Sequence, residues 1–453
     1  MNENRTHLLI IGGGPAGTQA ATTAAAKGAK VTLVEREIVG GAAHLWDCIP
    51  SKTMAASALR HTSIRNAAQL GLVTDPGKVD PSVLAKRIQV ITGDINRNWV
   101  SLLDSQQVEI VRGSGRFVSN TEIVVDGGDG SREITFDKAM ISTGSKPRVP
   151  DWAPVDKERV LTTRDVYDLN SVPEHLVIIG SGVTGVEFVH IFESLGAKVS
   201  LVVSRRQILP HRDAEVAAVL QEDFLERGVS LVIGARAEKL KVQGGLVTVF
   251  CDDGRVITGS HALLAVGAVP LSEGLGLDAA EVKIDSADFI EVDDYQRTSA
   301  PNIYAAGDVT GQMLLSSVAS MQGRKIARHA LDLPVTPLDY SKVAEAIFTE
   351  PEIASVGLVD VEAAAEGRKV RTMKVPFASN ARSVLQHFTR GFVKVTSDPA
   401  TGVVLGGTIV GHRASELIGI IALAVQAQVT AKVLVETLMV HPSMTEAITD
   451  AAE

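Results

Sequence analysis

The chain has 453 residues, 45% of them hydrophobic and 21% charged, and a formal net charge of −9 at pH 7. This length predicts about two to four domains with sizeable cores, in a globular protein rather than a disordered or fibrous one. The acidic balance argues against a nucleic-acid partner, which needs a basic surface, and two cysteines exclude a disulfide framework.

No secretory segment precedes the first apolar run, which begins after MNENRT. The longest late apolar run, 417–425, ends at two glutamines and is shorter than the roughly 20 residues of a membrane helix. We therefore expect a cytoplasmic protein without a membrane span.

The N-terminal pattern occurs twice in the chain. Residues 7–21 read HLLIIGGGPAGTQAA, and residues 175–189 read HLVIIGSGVTGVEFV. The segment GAKVTLVE that follows the first copy also has a counterpart, GAKVSLVV, after the second. Each copy predicts a strand, a glycine turn, a helix and a second strand, which is the βαβ unit that binds dinucleotides.

Three glycines in each copy fit the three steric demands of such a site. The tight turn, the approach of a pyrophosphate and the close packing of helix on strand are assigned in that order to Gly12, Gly14 and Gly17, and to Gly180, Gly182 and Gly185. The helix N-terminus then offers unpaired N–H groups to the phosphates. One such fingerprint is weak evidence, but two in register predict two dinucleotide sites.

The residue that ends the second strand distinguishes the two copies. In the first copy it is Glu35, whose carboxylate suits the hydroxyls of an adenosine ribose. In the second copy it is Val203, and Ser204, Arg205 and Arg206 follow. A hydroxyl and two guanidinium groups favour a 2′-phosphate, although the arginines would also suit a solvated loop. We predict FAD at the first site and NADPH at the second, with NADH possible.

With both fingerprints placed, the chain resembles the flavoprotein disulfide reductases, which include dihydrolipoamide dehydrogenase, glutathione reductase, mercuric reductase and the soluble transhydrogenases. Further similar motifs are ISTGSKPRVP with Gly144, LLAVGAVP with Gly267, TSAPNIYAAGDVTG with Asp308, AIFTEPEIASVGL and HPSMTEA. In the family, the acid that corresponds to Asp308 holds the ribityl chain of FAD.

The resemblance implies an α/β fold with two Rossmann-like domains, of the glutathione-reductase type, and a C-terminal α+β dimerisation domain. The expected segments are an FAD-binding domain (1–150), an NAD(P)H-binding domain (151–270), a central segment that completes the FAD site (271–338) and an interface domain (339–453). A homodimer is expected.

The segment GGAAHLWDCIPSK departs from the family at its most reactive position. The disulfide reductases carry C-x4-C here, whereas this chain has Ala43 and Cys48. The sulfur that attacks substrate disulfides is absent and the flavin-proximal one remains. The second cysteine, Cys251, lies on an alternating strand and is predicted to be a half-buried structural residue.

Cys48 has three interpretations that the sequence leaves open. It is an inert residue packed against the flavin, a thiolate that tunes the flavin from a helix N-terminus, or a thiol that forms peroxide-derived or mixed-disulfide species. A metal site is not expected, because His44 and Cys48 supply only two ligands.

Four further residues carry roles that the resemblance implies. Lys52 is expected beside flavin N5, paired with Glu187, where a cation supports hydride acceptance. His441 and Glu446 match the family's acid–base pair, in which the histidine serves the partner subunit. With the attacking thiol gone, this pair either protonates another acceptor or serves dimer packing.

The leading functional hypothesis is an FAD-dependent NAD(P)H dehydrogenase that passes electrons directly to quinones or similar small acceptors. It resembles the disulfide-lacking quinone reductase branch of the family. The alternatives are a soluble pyridine nucleotide transhydrogenase, a single-cysteine thiol or persulfide reductase, and a non-catalytic flavin-binding subunit of an assembly.

Overall fold

The computed structural model of the protein describes residues 5–75, 77–128 and 130–453. The chain divides into two compact units, and each is built from three separate stretches. The first unit takes the chain up to Ser51, Val83–Arg148 and Ala268–Leu338, and the second takes Lys52–Ser82, Val149–Gly267 and Asp339–Glu453. The four segments expected from the sequence stay a prediction.

A five-stranded parallel sheet forms the centre of the first unit. Its strands lie in the order Ile303–Ala305, Lys138–Ile141, His7–Ile11, Lys30–Glu35 and Glu109–Arg112. After His7 the middle strand is apolar, which suits a strand with both faces of its sheet covered. Leu8 and Ile10 pack in a cluster with the helices Pro15–Ala26 and Ser316–Ala330, whereas Leu9 and Ile11 pack against an antiparallel sheet.

That antiparallel sheet consists of Ser114–Ser119, Glu122–Gly127 and Gly130–Thr135, and Phe117 and Ile123 are its fully buried contributions to the cluster. A two-stranded ribbon, Ser145–Pro147 with Ala268–Pro270, also belongs to this unit. Because the five strands of the central sheet are parallel, the loops that follow them gather at one edge of that sheet. Open α/β sheets bind ligands at this edge.

The second unit repeats this architecture. Its parallel strands lie in the order Ser230–Ile233, Lys198–Val203, His175–Ile179, His261–Leu264 and Val160–Thr162. An antiparallel sheet covers one face and is formed by Ala237–Gln243, Leu246–Cys251 and Val256–Gly259. Val177 and Ile179 pack with Val247 and Val249 in the resulting core.

The C-terminal part of the second unit has its own antiparallel sheet. The strands lie in the order Glu345–Ile347, Glu352–Gly357, Val404–Gly411, Phe392–Ser397 and Arg371–Pro376. The helix Ala414–Gln426 packs its apolar side on this sheet, in a cluster that includes Ile418 and Ile421.

The remaining α-helices are Gly41–Leu45, Cys48–Arg65, Pro81–Ser105, Val183–Ser194, Ala214–Glu226, Asp360–Ala365, Ala381–Gln386, Ala431–Glu436 and Glu446–Asp450. Short 3₁₀ turns occur at Ala67–Leu70, Val166–Asp168, Gly307–Thr310, Tyr340–Lys342 and Phe377–Ser379. Within the described ranges, no helix has the length and hydropathy to cross a bilayer.

Candidate active site

The two glycine turns hold their backbones in conformations that other residues avoid. Gly12 has φ +104° and Gly180 has φ +111°. A Cβ at Gly12 would collide with the carbonyl of Ser142, and one at Gly180 with the carbonyl of Ala265. Only glycine therefore allows the first strand of each copy to turn directly into its helix.

The start of each helix is open in the way a dinucleotide site requires. Gly14 and Gly182 stand at the N-caps, and among the described residues no side chain caps either helix. Apart from the adjoining residues of the same turn and helix, no described atom lies within 4 Å of the position that a Cβ on either glycine would take. A Cβ on Gly17 or Gly185, by contrast, would overlap the backbone of the preceding turn. These turns fit the pyrophosphates of FAD and NAD(P)H.

Glu35 lies at the carboxyl end of the second strand of the first copy. It is 8% exposed, and its Oε2 accepts the Gly13 N–H at 2.7 Å. Its Oε1 accepts the Glu37 N–H, also at 2.7 Å. These two hydrogen bonds fix the carboxylate in place. Each oxygen keeps a second acceptor position, which suits the two ribose hydroxyls of FAD.

Asp308 lies in the 3₁₀ turn Gly307–Thr310, and its Oδ2 accepts a hydrogen bond from Ser145 Oγ at 2.7 Å. The Gly307 N–H donates to Gln322 Oε1 at 2.8 Å. Gly144, with φ +74°, immediately precedes Ser145. Sequence reasoning missed Ser145 and Gln322. The position of Ser145 next to the TG turn was the available signal, whereas Gln322 lies on a helix without a motif of its own.

The corresponding end of the second copy has a different character. Val203 is fully buried at the end of its strand, and Ser204, Arg205 and Arg206 are exposed directly after it. In the part of the chain that the structure describes, the guanidinium groups of Arg205 and Arg206 take part in no hydrogen bond or ion pair. Both guanidinium groups are therefore available to a 2′-phosphate. Gly267, the other residue predicted for this site, lies in the second unit with φ +93°.

Lys52 and Glu187 form an ion pair within the second unit. Lys52 Nζ lies 2.7 Å from Glu187 Oε2, and the side chains are 31% and 7% exposed. The backbone N–H of Phe348 donates to Glu187 Oε1 at 2.9 Å, and Lys52 Nζ lies 4.7 Å from the centroid of the Phe348 ring. The carboxylate thus has a partner on each oxygen, and the ammonium group has both a carboxylate and a π face. Phe348 was not predicted as a site residue.

Cys48 is the first residue of the helix Cys48–Arg65 and is half-buried. Its Sγ lies 3.6 Å from the Oγ of Ser316, which begins the helix Ser316–Ala330. Ser316 was also missed, because nothing in a serine pair at 316–317 marks it in the sequence. Cys251 is 4% exposed, so it is more deeply buried than expected, and burial raises the pKa of its thiol.

His441 and Glu446 form the second polar pair that the sequence singled out. His441 Nδ1 lies 2.8 Å from Glu446 Oε1, and the imidazole side chain is 73% exposed. Glu446 Oε2 accepts the Ser443 N–H at 2.8 Å. This backbone hydrogen bond, followed by the one to His441, lowers the pKa of Glu446. The carboxylate therefore holds the ring by Nδ1 and leaves Nε2 towards solvent.

The family model for pyridine nucleotide-disulphide oxidoreductases matches residues 6–323, and the model for the dimerisation domain of the same proteins matches residues 343–452. The chain belongs to the pyridine nucleotide-disulphide oxidoreductase family. The predicted family and fold class are confirmed, and so is the prediction of an oxidoreductase that uses FAD and a nicotinamide nucleotide.

Several relatives of this oxidoreductase match it over almost its full length. The NAD(P)H dehydrogenase (quinone) of Mycobacterium tuberculosis is 41% identical, with 99% of this chain and 93% of that protein covered. The dihydrolipoyl dehydrogenase of Geobacillus stearothermophilus is 33% identical, with 99% and 96% covered.

The oxidoreductase also matches solved structures. The crystal structure of LpdA from M. tuberculosis has a TM-score of 0.95 at 41% identity, with 99% of both chains covered. The HOCl-induced flavoprotein disulfide reductase RclA from Escherichia coli has a TM-score of 0.89 at 25% identity, with 98% of this chain and 99% of that chain covered.

Proposed function

We propose that the protein oxidises NADPH through bound FAD and passes the electrons directly to a quinone or a similar diffusible acceptor, without a redox-active disulfide. The observation that carries this proposal is Ala43 in the position of the second cysteine of the C-x4-C pair. A dithiol relay needs two sulfurs, and the loop contains only that of Cys48. The name NAD(P)H dehydrogenase (quinone), borne by a relative at 41% identity, supports the choice of acceptor.

Bound FAD supplies the hydride and electron chemistry of this reaction. Lys52 supplies a positive charge that Glu187 and Phe348 hold in one place, so little reorganisation is needed when negative charge develops beside it. Ser145 holds Asp308 in the orientation that receives the ribityl hydroxyls.

NADPH is the preferred donor in this proposal. Val203 removes the acid that would repel a 2′-phosphate, and the exposed groups of Ser204, Arg205 and Arg206 are positioned to bind it. NADH remains a substrate because the pyrophosphate-binding turn does not depend on the 2′ position.

The active form in this proposal is a homodimer, which the match to the dimerisation domain supports. His441, oriented by Glu446, delivers a proton to the acceptor bound at the neighbouring subunit's site. A quinone oxygen is a suitable recipient for that proton.

A panel of acceptors tests the proposal. The NADPH-reduced holoprotein, prepared without oxygen, should be reoxidised rapidly by a soluble quinone and slowly by lipoamide or glutathione disulfide. Comparable rates with either disulfide would overturn the argument from Ala43. NADH formation from NAD⁺ as the fastest reaction would favour a transhydrogenase instead.

The Cys48→Ser variant separates direct transfer from a thiol relay. It should keep FAD and most of the quinone reduction, and we expect the order of damage to be Lys52→Ala, then His441→Ala, then Cys48→Ser. Loss of turnover in Cys48→Ser with normal reduction by NADPH would assign electron transfer to the thiol.

A further inference from the structure

Two helices that carry the Lys52–Glu187 pair touch again at their C-terminal ends. His61 Nδ1 lies 2.7 Å from the carbonyl oxygen of Ser194, the last residue of the helix Val183–Ser194. One residue earlier in that helix, Glu193 Oε1 lies 3.2 Å from Arg65 Nη2. Seven residues separate Glu187 from Ser194, so these contacts lie two turns, or about 10 Å, beyond the ion pair.

The contact with the Ser194 carbonyl satisfies a group that the helix itself leaves unpaired. The last four carbonyl groups of an α-helix have no partner within it. Because an oxygen accepts, His61 Nδ1 must carry the proton and donate it. The other ring nitrogen, Nε2, is buried and has no hydrogen-bond partner among the described residues. The ring is therefore held in one orientation by Nδ1.

Glu193 is anchored on its far side by Arg227. Arg227 Nε donates to Glu193 Oε2 at 2.6 Å, and its Nη2 donates to Ser194 Oγ at 2.8 Å. Its Nη1 lies 3.1 Å from Asp223 Oδ2 and 3.3 Å from Nδ1 of the fully buried His190. Burial, followed by the charge of Arg227, holds the pKa of His190 well below its usual range, so its ring accepts as a neutral imidazole.

This network fixes the end of one helix, and His61 and Arg65 attach the other helix to it. Most charged groups in the network are largely buried: the side chains of Arg227, Glu193 and Asp223 are 15%, 11% and 16% exposed. Hydrogen bonds in such surroundings are strong and removing one partner is costly, so the arrangement resists sliding or rotation.

We infer that His61 is a positioning residue, which with Arg65 and Glu193 sets the register of the two helices so that Lys52 Nζ meets Glu187. The inference rests on the proposed role of Lys52. A lysine side chain has many rotamers, and a shift of its helix along the other would release Nζ from Glu187 without breaking either helix. A structural brace alone would stabilise the fold and leave the chemistry of Lys52 unaffected.

A double-mutant cycle in the holoprotein tests this inference. The rate of flavin bleaching by NADPH is measured by anaerobic stopped flow in His61→Leu, in Lys52→Met and in the double variant. We expect His61→Leu to slow bleaching about tenfold in the natural background and less than about twofold in Lys52→Met, because residues that act through one interaction are not additive. His61→Asn keeps an N–H donor and should recover most of the rate.

Controls separate the possible failures. Arg60→Ala changes an exposed neighbour on the same helix and should leave the rate unchanged. If His61→Leu does not yield holoprotein, Arg65→Met replaces it in the same cycle. Equal slowing in both backgrounds, or a change in melting temperature alone, overturns the inference and leaves the proposed function intact. A normal rate in Lys52→Met overturns both the inference and the proposed role of Lys52.

Discussion

The first and second βαβ units share the geometry of their turns and helices, and we propose that they bind different nucleotides. In each, the histidine that opens the first strand reaches a hydroxyl on the second: His7 Nε2 lies 2.8 Å from Thr32 Oγ1, and His175 Nε2 lies 2.9 Å from Ser200 Oγ. The N-cap glycines have φ −73° and −74°, and both helices have 12 residues. The N-cap glycines lie at the carboxyl end of the first strand, where we propose that the pyrophosphates bind, and the histidines lie at its other end.

Two of the differences between the units bear on the proposed function. At the end of the second strand, the first unit has the buried Glu35, which accepts two hydrogen bonds. The second unit has Val203 there, followed by the exposed Arg205 and Arg206. On the helix, Gln19 accepts a hydrogen bond from Arg324 Nε at 2.9 Å, whereas its counterpart Glu187 holds Lys52. In our proposal, the shared backbone suits dinucleotides as a class. Single side chains then determine which nucleotide binds and which helix takes part in the chemistry.

The largest expected effect comes from replacing Glu187, on the helix of the second unit. Glu187→Ala releases Lys52 and should slow flavin bleaching by NADPH by roughly 10²-fold, the usual scale for losing one preorganised electrostatic group. Gln19→Ala is the matched control and should change the rate less than about twofold, because surface contacts contribute little. Stopped-flow measurement with NADPH compares them. Similar losses in both variants would contradict the division of roles between the helices.

The next effect comes from exchanging the ends of the second strands. The triple variant Val203→Glu, Arg205→Ala, Arg206→Ala gives the second unit the acid of the first. Charge-assisted hydrogen bonds are worth about 1.5–3 kcal/mol, so the ratio of kcat/KM for NADPH over NADH should fall roughly ten- to a hundredfold. Steady-state kinetics with a fixed quinone measures it. An unchanged ratio would place the 2′-phosphate elsewhere.

Glu35→Gln makes the reciprocal change in the first unit. Both carboxylate oxygens accept backbone N–H groups, but an amide offers only one acceptor, so one N–H loses its partner. We expect FAD to bind about tenfold more weakly, a loss of about 1.4 kcal/mol. Titration of the apoprotein by flavin fluorescence measures this. Glu37→Gln, at an exposed neighbour, is the control, and an equal loss there would contradict the assignment.

The smallest effect concerns the shared histidines, whose responses should match. Burial lowers the pKa of His7 and of His175 below 6.5. As the pH falls through 6.5, these histidines take up protons in the unfolded chain before they do so in the folded protein. The stability of the fold therefore decreases with decreasing pH until the folded-state pKa values are reached. His7→Gln and His175→Gln should each flatten the decrease in melting temperature between pH 7.5 and 5. A response in only one variant would show that the two strand starts are not equivalent.

Local patterns predicted the two βαβ units, because each unit lies within a short stretch of sequence. The C-terminal dimerisation domain was predicted from the family resemblance instead. The glycine spacing located both turns, whereas the assignment of the two ribose sites from Glu35 and Val203 stays a prediction. Contacts between distant segments left no such pattern. Ser316 lies 268 positions from Cys48, and Phe348 lies 161 from Glu187. Their proximity follows from packing, and neither belongs to a spacing that a single sequence displays.

The central sheet of the first unit has a consequence for how the protein is made. Its edge strand Ile303–Ala305 pairs with Lys138–Ile141, so the sheet lacks that strand until residues 142–302 have been synthesised. At about 5–20 residues per second, this interval lasts many seconds on the ribosome. Meanwhile the strand Lys138–Ile141 exposes an unpaired edge, which is a target for chaperones and for mispairing. Because we propose that Asp308 helps to hold FAD, the nascent chain cannot complete the proposed FAD site until about two thirds of it has been made.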